Sequence, residues 1–179
     1  MRLIAGGSGH ELISGLRAPP AIDSDKPQVY HDDVAARTEE EQTEHDLVIE
    51  ATVEHFANST KYVLLPNPGT EKNVAVGRQY PDIVVTERGS AKVRLVIEVE
   101  TTDTVGDQEL NHWRALSGLG PPLYLLVPYT VTADAERLCA EASIKCHHGY
   151  YHEDEMGRFK IVLKKESGPH VNAFQHPLR

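Results

Sequence analysis

Val93-Arg94-Leu95-Val96-Ile97-Glu98-Val99-Glu100-Thr101 is the stretch on which the reading of this chain turns. Side chains alternate faces along a strand. Val93, Leu95, Ile97 and Val99 therefore share one apolar face, and Arg94, Val96, Glu98 and Glu100 share the other. A strand fit for a core thus carries two carboxylates on one face, with about 7 Å of backbone between them. Upstream, Ile83-Val84-Val85-Thr86 is a second β-rich run, entered through Tyr80-Pro81-Asp82, and Glu87-Arg88-Gly89-Ser90 between the two reads as a hairpin turn. Antiparallel pairing counted outward from that turn brings Asp82 to the Glu98 end. Three carboxylates then converge at one corner of a sheet, each raising the pKa of the others. A hard divalent cation relieves that repulsion, and Mg²⁺ accepts a few carboxylates together with waters. An ion held there lowers the pKa of a bound water and stabilises charge on a phosphoryl oxygen.

The flanking sequence supplies the rest of an α/β domain. Thr43 reads as a helix N-cap, with Asp46 where a capping box carries Glu or Gln, and Leu47, Ile49, Val53 and Phe56 follow at roughly helical spacing. Lys61 to Pro66 is a short strand, and Pro66-Asn67-Pro68-Gly69 a turn. After the decisive strand, Asp107 to Ser117 predicts a helix with Leu110, Trp113 and Leu116 on its inner face, ended by Gly118. Leu123 to Val127 is a continuous apolar run of the buried-strand type. Val131, Ala135, Leu138 and Ala142 mark a third helix with Thr132 as N-cap, and His147 to Tyr151 with Arg158 to Leu163 a last pair of strands. The expectation is a mixed sheet with helices on its faces.

With 179 residues the chain is long enough for one domain with a real core. Its formal net charge is −9, with 18 basic and 27 acidic residues, which argues against a general nucleic-acid coat protein and a polybasic membrane-surface protein. The charge is uneven, however. Residues 1–60 hold four basic and twelve acidic residues, a net −8, whereas residues 61–179 hold 14 and 15. Residues 1–42, with Gly6-Gly7-Ser8-Gly9, Ala18-Pro19-Pro20 and Glu39-Glu40-Glu41, read as an extended acidic arm, residues 43–166 as the domain, and 167–179 as a tail. Two cysteines make no disulfide framework, and with no apolar run long enough to span a bilayer the expected compartment is the cytoplasm. The near-neutral remainder of the chain leaves a nucleic-acid substrate open.

Pro81-Asp82, followed sixteen residues after Asp82 by Glu98-Val99-Glu100 on the next strand, resembles the motif of the PD-(D/E)XK nuclease superfamily. The element order over residues 43 to 128 is also similar to that family's αβββαβ core. The resemblance implies a restriction-endonuclease-like fold and a metal-dependent phosphodiester hydrolase acting on DNA, with water activated by Mg²⁺ or Mn²⁺ as nucleophile. Asp82, Glu98 and Glu100 are then the catalytic candidates. Asp82 and Glu98 become metal ligands, with the Val99 carbonyl as a further oxygen and Glu54, or Glu50, completing the site from the first helix. Gln108 matches the polar residue the family draws from the following helix, and His112 is a candidate general base. The family's third motif residue is usually Lys, and here it is Glu100; Lys92 and Arg114 are the candidate cations to stand in for it. That departure makes a catalytically degenerate module binding nucleic acid or a protein the alternative, and the family analogy allows a homodimer.

Other features carry less. Cys139, Cys146, His147 and His148 fit no common zinc spacing and read as core cysteines beside strand-edge histidines. Arg158, Lys160, Lys164 and Lys165 read either as a phosphate-contacting face or as the charge that protects an edge strand. Gly6-Gly7-Ser8-Gly9 lacks the Lys-Ser/Thr of a phosphate loop.

Overall fold

The computed structural model describes residues 37–163. The expected arm up to residue 36, the expected tail, Lys164 and Lys165 lie outside the described residues. The elements run α1 (Glu39–His55), β1 (Tyr62–Pro66), β2 (Ile83–Glu87), β3 (Val93–Val99), α2 (Leu110–Ser117), β4 (Leu123–Pro128), α3 (Thr132–Glu141), β5 (His147–Glu153) and β6 (Phe159–Leu163). The strands form one six-stranded mixed sheet in chain order. β1, β2 and β3 are an antiparallel meander, β4 lies parallel to β3, β5 parallel to β4, and β6 closes the sheet antiparallel to β5. The two parallel pairings are those whose connections contain helices, as parallel neighbours require. Among the described residues, no helix is long and apolar enough to cross a membrane.

Two apolar layers hold the sheet. Leu95, Ile97 and Val99 pack with Ile83, Val85, Tyr124 and Leu126 against Val48 and Ile49 of α1. Val96, Leu123, Leu125 and Val127 pack on the opposite face with Trp113 and Leu116 of α2 and with Ala135, Leu138 and Cys139 of α3. The period-2 reading of β3 is realised from Leu95 onward, and the face that carries Glu98 and Glu100 is the one covered by α2; Val93, expected beside Leu95, packs instead with the Val96 layer, because the β2–β3 register shifts by one residue between Val85 and Thr86. Burial on both faces explains why Leu123 to Val127 is apolar throughout.

α1 differs from expectation at its start and in its orientation. Its N-cap is Thr38, whose hydroxyl accepts from the Glu41 N–H while the Glu41 carboxylate accepts from the Thr38 N–H, a complete capping box. Glu39, Glu40 and Glu41 sit in the first turn, where the helix dipole favours negative charge. Residues 39–42, expected in the arm, thus belong to the helix, and Thr43 lies inside it with its hydroxyl on the Glu39 carbonyl. The buried stripe is His45, Val48, Ile49 and Thr52, an i, i+3, i+4, i+7 set, while Leu47 is 47% exposed. Two polar residues occupy that stripe, so hydrophobicity alone misplaces it. The start of α3 also differs: Thr132 is its first residue, and its hydroxyl bonds the Pro128 and Tyr129 carbonyls instead of capping.

Candidate functional site

The corner where β2 begins and β3 ends is built as the register dictates. Ile83 faces Ile97, so Asp82 and Glu98 fall opposite one another just beyond. They clasp reciprocally. The Asp82 N–H donates to Glu98 Oε2 at 3.2 Å, and the Val99 N–H donates to Asp82 Oδ2 at 2.8 Å. Both side chains are buried, with residue exposures of 8% and 6%. Asn67, also buried, fixes the approach to Asp82. Its side-chain amide donates to the carbonyls of Val74 and Pro81, its Oδ1 accepts from the Val74 N–H, and its own N–H donates to the Asp82 carbonyl.

Each carboxylate has an imidazole beside it. His45 of α1 lies between Asp82 and Asp46, with Nε2 at 3.1 Å from Asp82 Oδ2 and Nδ1 at 3.1 Å from Asp46 Oδ1. The Nε2 contact is angled too poorly for a hydrogen bond and acts as a charge contact. Burial pulls the His45 pKa down, but the close Asp82 carboxylate, helped by Asp46, outweighs it, and the net direction is up. His112 of α2 places Nε2 at 2.8 Å from Glu98 Oε1. Burial disfavours its charge too, yet the charge and hydrogen bond of Glu98 push it up to about 9. Glu98 itself is raised, first by burial and then by the Asp82 charge, with His112 opposing. Both directions mean the same thing: the His112–Glu98 pair holds its shared proton more tightly than either group does in water.

Glu100 is differently placed from the expectation that it helps hold an ion. It is 1% exposed. Its Oε1 accepts from Trp113 Nε1 at 2.6 Å and its Oε2 from the Thr104 hydroxyl at 2.5 Å. Arg37 Nη2 stands 3.6 Å from Oε2 and donates to the Val99 carbonyl at 3.3 Å. Burial, then the Glu98 charge, push Glu100 up to about 8 in spite of these donors. At neutral pH it is mostly a carboxylic acid held in place under α2. Tyr151 Oη reaches the Glu100 carbonyl at 2.9 Å and Glu44 Oε1 at 3.0 Å, and burial ahead of the Glu44 charge raises its pKa.

The remaining sequence candidates stand apart. Glu50 and Glu54 are exposed because α1 turns the His45 stripe, not theirs, to the sheet. Gln108 is exposed, and its amide bonds the carbonyls of Asp103 and Thr104. Lys92 and Arg114 are exposed, the latter donating to Asn111 Oδ1. Arg158 and Lys160 both engage Asp154 at the β5–β6 turn. Among the described residues, the one set of three His, Cys, Asp or Glu side chains whose ligand atoms lie within 4.8 Å of one another is elsewhere. Asp82, Glu98 and Glu100 are therefore a pair plus a neighbour, not a three-carboxylate cage. Sequence reasoning missed His45, Asn67 and Arg37. His45 was available through the i, i+3, i+4, i+7 stripe; Asn67 looked like an ordinary turn residue, and Arg37 is a lone cation in an acidic stretch.

The chain matches no protein-family model, no curated protein and no solved structure.

Proposed function

We propose that this protein is a divalent-metal-dependent phosphodiester hydrolase acting on DNA, on the restriction-endonuclease-like fold of the PD-(D/E)XK nucleases. The observation that carries the reading is the reciprocal clasp of Asp82 and Glu98, two buried carboxylates at adjoining strand ends. The element order supports it: a helix, a three-stranded antiparallel meander, a second helix, and a fourth strand parallel to the third.

The donor set fits a hard cation. Asp82 and Glu98 offer oxygens; burial first, and then the Asp82 charge, raise the Glu98 pKa, and Mg²⁺ or Mn²⁺ would offset that repulsion. These two residues would hold the ion, with the Val99 carbonyl as a further oxygen in exchange for its bond to Arg37. A bound ion supplies an acidified water and charge stabilisation at phosphoryl oxygens. The chain's own residues do the rest. His112, charged at neutral pH, and Arg37 place positive charge beside the carboxylates, where the family places lysine. Such fixed charge stabilises a developing phosphorane without reorganisation. His45 and Asn67 position Asp82.

A second reading has a specific observation behind it. Glu100 stands at the lysine position with both oxygens committed to Trp113 and Thr104, so it neither orients water nor donates charge. A module that keeps the fold and the metal, and binds nucleic acid or a protein without cleaving, is the alternative. Thermal melts with Mn²⁺ and Mg²⁺, on wild type and Asp82→Ala, come first. A metal-induced rise in wild type alone is expected, and no rise sinks both readings. Plasmid and single-stranded DNA are then incubated with Mn²⁺, using Glu98→Ala as control. Cleavage lost in the variant supports the hydrolase, cleavage retained refutes this site, and metal binding without cleavage selects the binding module.

A further inference from the structure

The three-ligand set lies on the α3 face, away from the carboxylate corner in sequence. Cys139 of α3, Cys146 before β5 and His148 in β5 bring two sulfurs and one ring nitrogen within 4.8 Å of one another. Neither cysteine is in a disulfide. Cys146 Sγ lies 3.6 Å from His148 Nε2. A tetrahedral zinc with Zn–S near 2.3 Å and Zn–N near 2.05 Å separates its sulfur and nitrogen ligands by about 3.6 Å, and two sulfurs by about 3.8 Å. The Cys146–His148 separation is thus the one that ion requires, and Cys139 Sγ, within 4.8 Å of both, needs to move by about 1 Å at most to complete the set.

The chain spends backbone freedom on this arrangement. α3 ends in a Schellman turn: the Ile144 N–H donates to the Cys139 carbonyl at 2.8 Å and the Ser143 N–H to the Ala140 carbonyl at 3.2 Å. Ser143 fills the left-handed position with φ 56°, where glycine is usual and any side chain is disfavoured. That reversal returns the chain over the last turn of α3, so Cys146, seven residues on, sits against Cys139. Linear spacing gave no zinc pattern because this turn, and not a short loop between ligands, sets the geometry. Cys146 further lines a cavity of about 440 Å³ bounded by Ser117, Pro121, Pro122, Ile144 and His147.

We propose that Cys139, Cys146 and His148 bind a thiophilic divalent cation, zinc above all, with the fourth position taken by water or a small solute from the adjoining cavity. Two cysteines and one histidine with an open fourth position are a known zinc arrangement, whereas Mg²⁺ and Mn²⁺ prefer oxygen. The site is independent of the hydrolase reading.

The test uses the full chain, reduced and stripped of metal. Zn²⁺ added in slight excess and removed by gel filtration should remain at one equivalent by elemental analysis. Co²⁺ should give tetrahedral d–d bands and a thiolate-to-cobalt charge-transfer band. Cys146→Ser and His148→Gln should each weaken Co²⁺ binding at least tenfold, and Asp82→Asn should leave the charge-transfer band intact. Zn²⁺ should also slow alkylation of Cys146 in the wild type, a readout that needs no variant to fold. Absence of the charge-transfer band in folded wild type overturns the proposal. So does a band that survives Cys146→Ser, or unchanged alkylation with zinc. Mild oxidation that joins the two cysteines without any metal uptake would mark a redox pair instead and refute the metal site.

Discussion

Replacing Glu100 by Gln should stabilise the metal-free protein at alkaline pH and do little at pH 5. Unfolded, Glu100 releases its proton near 4.5; folded, it holds on until about 8, because burial and the Glu98 charge oppose ionisation. Between those values the folded state carries the extra proton, so wild-type stability falls as pH rises through the window. Gln has no proton to lose, and that slope vanishes. The full displacement corresponds to on the order of 5 kcal/mol. Arg37, 3.6 Å from Oε2, and a local effective dielectric near 20 take back part of it, leaving an expected gain of about 2 kcal/mol at pH 8.5. The amide fits the same bonds. Its oxygen accepts from Trp113 Nε1, and its NH₂ donates to the Thr104 hydroxyl, which turns its own proton to the Thr101 carbonyl 3.2 Å away. Urea denaturation in EDTA at pH 5 and pH 8.5 measures the effect. The Glu98 bond to His112 is common to both proteins; the smaller attraction between His112 and an ionised Glu100 is lost in the variant and opposes the gain. A stability difference that is the same at both pH values refutes the reasoning, and so does a wild type that is the more stable at pH 8.5.

Thr38→Ala removes the hydroxyl of the capping box and should cost about 1 kcal/mol, read as a lower urea midpoint with unchanged m-value. Ser143→Gly relieves the left-handed turn after α3, and the metal-free protein should gain about 0.5–1 kcal/mol in the same assay; a loss would mean the serine side chain has a role the turn geometry does not explain. His112→Gln keeps a donor beside Glu98 but removes the titrating charge. Stability of the wild type relative to this variant should be greatest below pH 6.5 and decline as pH rises through about 9, since the raised pKa belongs to the folded state.

What was legible in the sequence was what alternation and turn chemistry dictate. The β2–β3 hairpin and the faces of β3 from Leu95 onward follow from period 2 and from Glu87 to Ser90, whereas the exact confrontation of Asp82 with Glu98 depends on a one-residue register shift between Val85 and Thr86 that no pattern announces. The buried run of β4 was legible because a strand covered on both faces can be apolar at every position. α1 was misread because its inward stripe is half polar. His45 and Thr52 are tolerated there only through partners, Asp82 and Asp46 for the imidazole and the Val48 carbonyl for the hydroxyl, and those partners are tertiary. Glu50 and Glu54 rested on the family resemblance, and the stripe that α1 buries leaves both exposed. Glu100 was placed on the correct face, but its fate was decided by Trp113 and Thr104, which no pattern in β3 announces. The Cys139–Cys146–His148 set was passed over for a related reason: a strained residue at a helix end, not a loop of standard length, closes the distance.

The corner is less acidic than its three carboxylates suggest, and this has a consequence for how it meets its ligands. Below about pH 8 Glu100 is largely neutral, while His112 and Arg37 carry positive charge near Asp82 and Glu98, and Asp82 shifts His45 toward its charged form. These cations offset part of the negative charge that Asp82, Glu98 and the neighbouring Glu109 bring to the corner. A divalent cation meets the opposite situation. To bind Asp82 and Glu98 it must displace the proton that His112 and Glu98 share and outcompete His45, so metal uptake should release about one proton or more and strengthen as pH rises toward 9. Phosphate contact should weaken over the same range as His112 loses its charge. If both hold, turnover on DNA would peak between the two limits. Calorimetric Mn²⁺ titrations in buffers of different ionisation enthalpy count the protons directly. Mn²⁺ binding that releases none, with affinity flat from pH 6.5 to 9, would place the ion away from the Asp82–Glu98 pair.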